Sequence, residues 1–272
     1  MAGKKVEKVK LHYINNESTK RPLVNYSGHD ESQGYSDEYL FLETEVFDAR
    51  ELSKKEFSLD KEGFTKVTFK PKDVDYSKSE NVKSNYYAEV EQLVKDHTGA
   101  SDVFAFDHTV RRGLKNSNRR PAYHIHNDYT FKTAKTRPAD VLGQEIMDRF
   151  KGKRMIQINV WRPINGLVER DPLALMDFTT LDIRDLVETD IKFNDMKTGE
   201  THNGEIFALK KNPNQKWFYF SGVDSTEAIM IKGFDSDESK SRFAMHTAFA
   251  LSGQNEDSKH RESIETRTFV FF

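Results

Sequence analysis

The sequence predicts a mainly β protein, a distorted jelly roll with flanking α-helices. Three observations carry this: seven short runs rich in β-branched and aromatic residues, turns of Gly, Pro, Asn and Asp between them, and only two stretches with helical spacing. Residues 14 to 38 are rich in Asn, Ser, Asp and Glu, with Pro22 and Gly28, and read as an irregular arm. Residues 1–60 are therefore expected to pack as an N-terminal arm on a jelly-roll core spanning 100–272, all within one domain. Tyr39 to Phe47 is a first ordered stretch, after which Asp48 to Leu52 shifts toward a turn or short helix. Residues 86 to 97 place apolar groups at 87, 90, 93 and 94 with Gly99 beyond, a helix with a glycine stop. The strand-like runs follow at Val103–Phe106, Met155–Trp161, Leu173–Met176, Lys216–Phe220, Glu227–Lys232, Phe243–Phe249 and Ile264–Phe272. Residues 138 to 151 read as a helix between strands, with Pro138 near its start and Leu142, Ile146, Met147 and Phe150 on one face.

Composition narrows the function classes. The 272 residues suffice for one core of ordinary size. Lys plus Arg number 42 against 44 for Asp plus Glu, and a net charge of -2 gives no general field for nucleic acid or an anionic membrane. Cysteine is absent, which excludes a disulfide framework, thiolate zinc sites and cysteine nucleophiles. Any metal chemistry must use nitrogen and oxygen. Met1 to Lys8 has no apolar run after it, and no segment approaches the length of a membrane span, so a soluble, cytoplasmic protein is expected.

His126-Asn127-Asp128 lies where residues 124, 126, 128 and 130 would share one face of a strand, so an imidazole and a carboxylate can converge on one ion. His124 precedes the pair by two residues, but only His126 has a carboxylate two residues after it. A second imidazole from a distant strand, His246 in Phe243–Phe249, would complete a facial triad that leaves the opposite positions of iron(II) open. Fifteen residues on (261 minus 246), Arg261-Glu262-Ser263 stands at the entrance to the last strand. A guanidinium fork and a hydroxyl placed so could bind the far carboxylate of 2-oxoglutarate while its keto-acid end meets the iron. Taken singly, His126-x-Asp128 suits a surface turn, His246 a core histidine and Arg261 a solvated charge. Together, their order and separation point to one shared site.

Beyond these residues, the runs Asn159–Ile164, Asp171–Asp177, Trp217–Phe220, Asp235–Asp237, His246–Phe249 and Arg261–Arg267 resemble those of the CmcJ and AsaB-like oxygenases, hydroxylases and desaturases of secondary metabolism. The resemblance covers roughly residues 100 to 272. It implies a double-stranded β-helix, the cupin-like jelly roll of iron and 2-oxoglutarate enzymes, with His126, Asp128 and His246 on the metal. It also implies a small-molecule substrate, such as an amino acid or other small acid, together with dioxygen, and no nucleic acid or membrane. Relatives of this kind are said to work in pairs, which keeps a partner-subunit role open, and a homodimer stays open as well.

Other residues stay open between roles. Arg162, in a buried-looking strand, needs an anion, either 2-oxoglutarate or a substrate acid, or else an internal partner in Asp177 or Glu265. Arg267 shares strand parity with Ser263 and competes with Arg261 for the co-substrate. Arg111 suits a substrate acid or a loop ion pair, and the run Arg111, Arg112, Lys115, Arg119, Arg120 reads as a loop at the mouth. Tyr123, Trp161 and Phe249 are expected as apolar walls for substrate. Rival readings keep the triad with another ion and no 2-oxoglutarate, or make the chain a non-catalytic partner subunit.

Overall fold

The computed structural model describes residues 6–26, 34–52, 55–114, 117, 119–194 and 201–272. Among them, strands β1 (Val6–Ile14), β2 (Leu23–Tyr26), β3 (Tyr39–Asp48) and β4 (Phe64–Thr68) precede helices α1 (Ser79–Asn85) and α2 (Tyr87–Thr98). Strand β5 (Asp102–Arg112), helices α3 (Phe131–Leu142) and α4 (Gln144–Arg149), and strands β6 (Met155–Pro163) and β7 (Leu173–Met176) follow. The chain ends with β8 (Leu186–Asn194), β9 (Thr201–Leu209), β10 (Trp217–Tyr219), β11 (Glu227–Asp235), β12 (His246–Ala248) and β13 (Glu262–Phe271). Two five-stranded sheets, β1-β3-β10-β7-β12 and β4-β11-β6-β13-β5, form the jelly roll, and a three-stranded sheet, β2-β8-β9, flanks it.

The strand registers decide what faces what. Residues paired across a ladder share a face, and alternate residues change face. In the second sheet Arg267 pairs with Asn159, Glu265 with Trp161, and Ser263 with Arg111. These six side chains therefore lie on one face. The opposite face of β6, Ile156, Ile158 and Val160, packs against Val82, Tyr86, Val90 and Val94 of α1, α2 and the residue joining them. Helix α2 stops at Gly99, whose left-handed φ of 70° suits a residue without Cβ. Trp161, Ile229 and Ile231 of the second sheet meet Leu173, Leu175 and Phe218 of the first, so a core lies between the sheets.

Two expectations change here. Residues 1–60 are not an arm laid over the core, because β1 and β3 are strands of the first sheet and Val9, Leu11 and Tyr13 are buried in it. Strands β1, β4, β8 and β9 escaped a reading keyed to continuous apolar runs because polar residues interrupt them, as in Val6-Glu7-Lys8-Val9-Lys10-Leu11. The helix expected over 138–151 is two helices broken at Gly143 (φ 82°), with Pro138 inside the first of them. Proline has no N–H for the carbonyl four residues back. That carbonyl, Ala134, instead accepts from Gln157 Nε2 of β6 at 3.2 Å.

Helix α3 begins in a capping box: Thr130 Oγ1 accepts from the Thr133 N–H at 3.2 Å, and the Thr130 N–H donates to Thr133 Oγ1 at 2.9 Å. Thr130→Ala is expected to lower stability by about 1–2 kcal/mol, read as a lower urea midpoint at unchanged m-value. An unchanged midpoint would show that the cap contributes nothing.

Candidate metal centre

His126 and Asp128 do not sit on a regular strand as the sequence suggested. The segment 122–127 is extended and bonds on both sides: His126 and His246 exchange N–H to carbonyl bonds (3.0 and 2.9 Å), and the Ile125 N–H donates to the His12 carbonyl of β1 (3.2 Å). It thus joins β12 and β1, the two edge strands of the first sheet. Asn127 exchanges a further pair of bonds with Phe207 of β9, and its side-chain amide donates to the carbonyls of Tyr129 and Gly233. Those bonds turn the chain at Asp128, before the cap of α3.

The geometry brings one donor atom each from His126, Asp128 and His246 within 4.8 Å of one another. The two imidazole centroids are 4.5 Å apart, and His126 Nε2 is 3.6 Å from Asp128 Oδ1. Each ring donates its Nδ1–H to a backbone carbonyl, His126 to His124 (2.9 Å) and His246 to Ala244 (3.1 Å), which leaves both Nε2 lone pairs for a ligand. His246 Nε2 is buried and has no hydrogen-bond partner. Burial, reinforced by the neighbouring His246, pushes the His126 imidazole down to about 3, so it is neutral at physiological pH. Burial opposes ionisation of Asp128, but the Arg267 guanidinium overcomes it and holds the carboxyl well below its usual range. An oriented pair of imidazoles, one of whose Nε2 atoms is buried without a partner, and a carboxylate held ionised by Arg267 fit a divalent first-row metal with open positions.

Arg261 is buried at 2 % exposure, with its guanidinium 5.4 Å from the Trp161 ring. Its Nη1 donates to the carbonyl of Asp171, which stands at a positive φ of 53°, while its Nε has no partner. Ser263 Oγ is also buried without a partner. Burial pushes the Arg261 guanidinium down to about 10 against the opposing effect of the nearby Asp171 carboxylate, so it remains a cation, with its Nε still free to donate. Arg267 differs: its Nε donates to Asp128 Oδ2 (2.8 Å), and its other nitrogens meet Glu265 and Asp107. Its guanidinium is committed to the ligand carboxylate.

Three sequence-based expectations are corrected. Arg162 has neither a co-substrate position nor the ion pair with Asp177 or Glu265; it lies on the helix side of β6 and donates to Tyr76 Oη (2.9 Å) and the Ser225 carbonyl (2.5 Å). Phe249, at odd parity to His246, packs in the core against Tyr219. Trp161 is 2 % exposed, sits between the sheets and lies under Arg261 rather than facing substrate. Tyr123 donates to Asp171 and lines a cavity of about 460 Å³ with His12, Tyr35, Tyr39, Phe41 and Pro121. The Tyr35 and Tyr39 rings face His124, which stacks on His126 at 4.4 Å. Arg111, opposite Ser263, donates to the Arg120 carbonyl (2.9 Å), and Arg112 pairs with Glu262 (2.9 Å). Lys115, Asn116 and Asn118 of the basic run lie outside the described residues.

Sequence reasoning missed Asn159 and Glu265 as neighbours of the site. Asn159 Nδ2 donates to Asp128 Oδ2 at 2.9 Å, and Glu265 pairs with Arg267 at 2.8 Å. Their common parity with Arg267 was visible, but the register joining the strands was not.

A family model described as an oxidoreductase/YMDC permease-like domain, YDMC, matches residues 11–271. Among the described residues, no helix is long and apolar enough to cross a membrane. The chain is 30% identical over 234 residues to the alpha-ketoglutarate-dependent dioxygenase phiK of Fungal sp. (strain ATCC 74256), covering 82% of each chain. It is 32% identical over 244 residues to the hydroxylase/desaturase efuI of Hormonema carpetanum, covering 80% of this chain and 79% of that one. The solved structure of the iron and alpha-ketoglutarate-dependent endoperoxidase NvfI aligns with a TM-score of 0.81 at 25% identity, over 98% of both chains.

Proposed function

The chain belongs to the family of the oxidoreductase/YMDC permease-like domain and to the CmcJ and AsaB-like iron(II) and 2-oxoglutarate-dependent oxygenases, and from that premise we propose how its residues divide the work. As an oxygenase of this family it couples oxidation of a small-molecule metabolite to conversion of 2-oxoglutarate and dioxygen to succinate and carbon dioxide. His126, Asp128 and His246 hold the iron. The convergence of their three donor atoms within 4.8 Å is the observation that carries the assignment. Iron(II) held there would activate dioxygen for oxidation of the substrate, with 2-oxoglutarate as the two-electron donor that is decarboxylated to succinate.

Arg261 and Ser263 hold the far carboxylate of 2-oxoglutarate, because among the described residues Arg261 Nε and Ser263 Oγ are buried on this face without a partner. Trp161 keeps the Arg261 guanidinium flat and dry. The prime substrate enters by the ring-walled cavity beside His124, with Tyr123 on its wall and Arg111 placed for an acidic group. A compact acid carrying a ring or apolar body suits both features. The chain's balanced charge supports a small molecule over nucleic acid, and a cytoplasmic location accords with a sequence free of cysteine.

The test is to incubate the iron-loaded enzyme with 2-oxoglutarate and a panel of amino acids, terpenoid acids and aromatic metabolites. Substrate-dependent succinate release is expected with ring-bearing acids, and Arg111→Ala should weaken their binding. A product heavier by one oxygen atom means hydroxylation, one lighter by two hydrogens desaturation or ring closure, and one heavier by two oxygens peroxidation. Turnover confined to peptides or nucleic acids would refute the small-molecule reading.

A further inference from the structure

We propose that Arg267 and Asn159 are positioning residues that grip Asp128 by one oxygen, so that only its other oxygen is offered to the iron. The inference rests on the ligand assignment above. Asp128 Oδ2 accepts from Arg267 Nε at 2.8 Å and from Asn159 Nδ2 at 2.9 Å. Two donors converging on one carboxylate oxygen leave it little capacity for a metal. Oδ1 is the oxygen that faces His126 Nε2, at 3.6 Å. A facial triad must occupy three positions and leave three open. A carboxylate chelating through both oxygens would take one of the positions that co-substrate and dioxygen require.

The grip is itself braced. Glu265 Oε1 contacts Arg267 Nη2 at 2.8 Å and accepts from Asn159 Nδ2 at 3.3 Å, closing a ring of contacts through Asp128, Arg267, Glu265 and Asn159. Arg267 Nη1 also donates to Asp107 (3.1 Å) and Thr109 Oγ1 (3.1 Å), so every nitrogen of the guanidinium is engaged. Arg267 and Asn159 are direct neighbours across β13 and β6. The second sheet thereby sets the orientation of a ligand that the chain delivers from the connection before α3. This arrangement leaves Arg267 one N–H of its five, too few for a bidentate grip on the 2-oxoglutarate carboxylate.

The test is anaerobic titration of the metal-free enzyme with Co(II), followed by the visible absorption of the bound ion. It compares wild type with Arg267→Ala, Asn159→Ala, Arg267→Lys, Asp128→Ala and the double variant Arg267→Ala/Asp128→Ala. Arg267→Ala and Asn159→Ala are each expected to weaken Co(II) binding by roughly ten- to a hundred-fold and to shift its absorption bands as the carboxylate reorients. Arg267→Lys should recover part of the affinity. On the Asp128→Ala background, Arg267→Ala should add little, since its effect passes through that carboxylate. If Arg267→Ala does not fold, Asn159→Ala carries the same comparison through its affinity and spectrum. Full Co(II) affinity and an unchanged spectrum in Asn159→Ala and in every folded Arg267 variant, with weak binding in Asp128→Ala, would overturn the proposal alone. Full affinity in Asp128→Ala would overturn the ligand assignment and the proposal with it.

Discussion

Replacing His126, Asp128 or His246 by alanine is expected to abolish succinate release while leaving a folded protein. The fold survives because segment 122–127 is tied to its neighbours by backbone groups: His126 and His246 exchange main-chain bonds, and Ile125 donates to the His12 carbonyl. None of these needs the substituted side chain. Activity is lost because a facial site has three protein ligands and no spare. In Asp128→Ala, the Arg267 cation keeps Glu265 and Asp107 as counter-charges, so the vacated position does not strand a buried charge. Circular dichroism and urea midpoints establish the fold, and succinate release under saturating iron gives the activity. Wild-type succinate production by any one variant would remove that residue from the ligand set.

Arg261→Ala is expected to raise the apparent KM for 2-oxoglutarate far more than that for the prime substrate. A charge-assisted contact to a carboxylate contributes about 1.5–3 kcal/mol, or roughly ten- to a hundred-fold in affinity at about 1.4 kcal/mol per decade. Stability should fall as well, because truncating a fully buried side chain leaves a cavity and takes a partner from the Asp171 carbonyl and the Trp161 face, so the urea midpoint is read beside the kinetics. Arg261→Lys should recover only part of the loss, since an ammonium cannot present two parallel N–H groups. Steady-state kinetics with 2-oxoglutarate varied at fixed iron checks this. An unchanged KM in Arg261→Ala would return the co-substrate carboxylate to another cation, with Arg111 the next on that face.

The ligands were legible because their chemistry is local: an imidazole and a carboxylate two residues apart, a histidine inside an apolar run, and an arginine two residues before a serine. A preference between Arg261 and Arg267 was not, since both share parity with Ser263 and what favours Arg261 in the proposed role is a difference in three-dimensional neighbours. Asp128 and Glu265 claim Arg267, while Arg261 hydrogen-bonds a carbonyl and keeps its Nε free. Arg162 misled because β6 is buried on both faces, so its sequence does not tell the site side from the helix side. Phe249 is a different case. Three residues from His246 in an extended run, it had to face the other way, and parity alone would have placed it in the core. The N-terminal strands were hidden by alternation: β1 mixes Glu, Lys and His with Val, Leu and Tyr because adjacent residues meet different surroundings.

The seam made by residues 122–127 bears on how the protein takes up its metal. One ligand pair arrives with this segment and the third belongs to an edge strand it fastens, so completing the coordination set and zipping the first sheet shut are one event. An ion held by the proposed ligands would work as a clasp across the seam. Peeling the segment away would cost its backbone bonds and two of the three ligands together, so metal release is tied to a local unzipping rather than to the swing of a single side chain. Iron should therefore leave the folded enzyme slowly, at a rate set by the breathing of this edge.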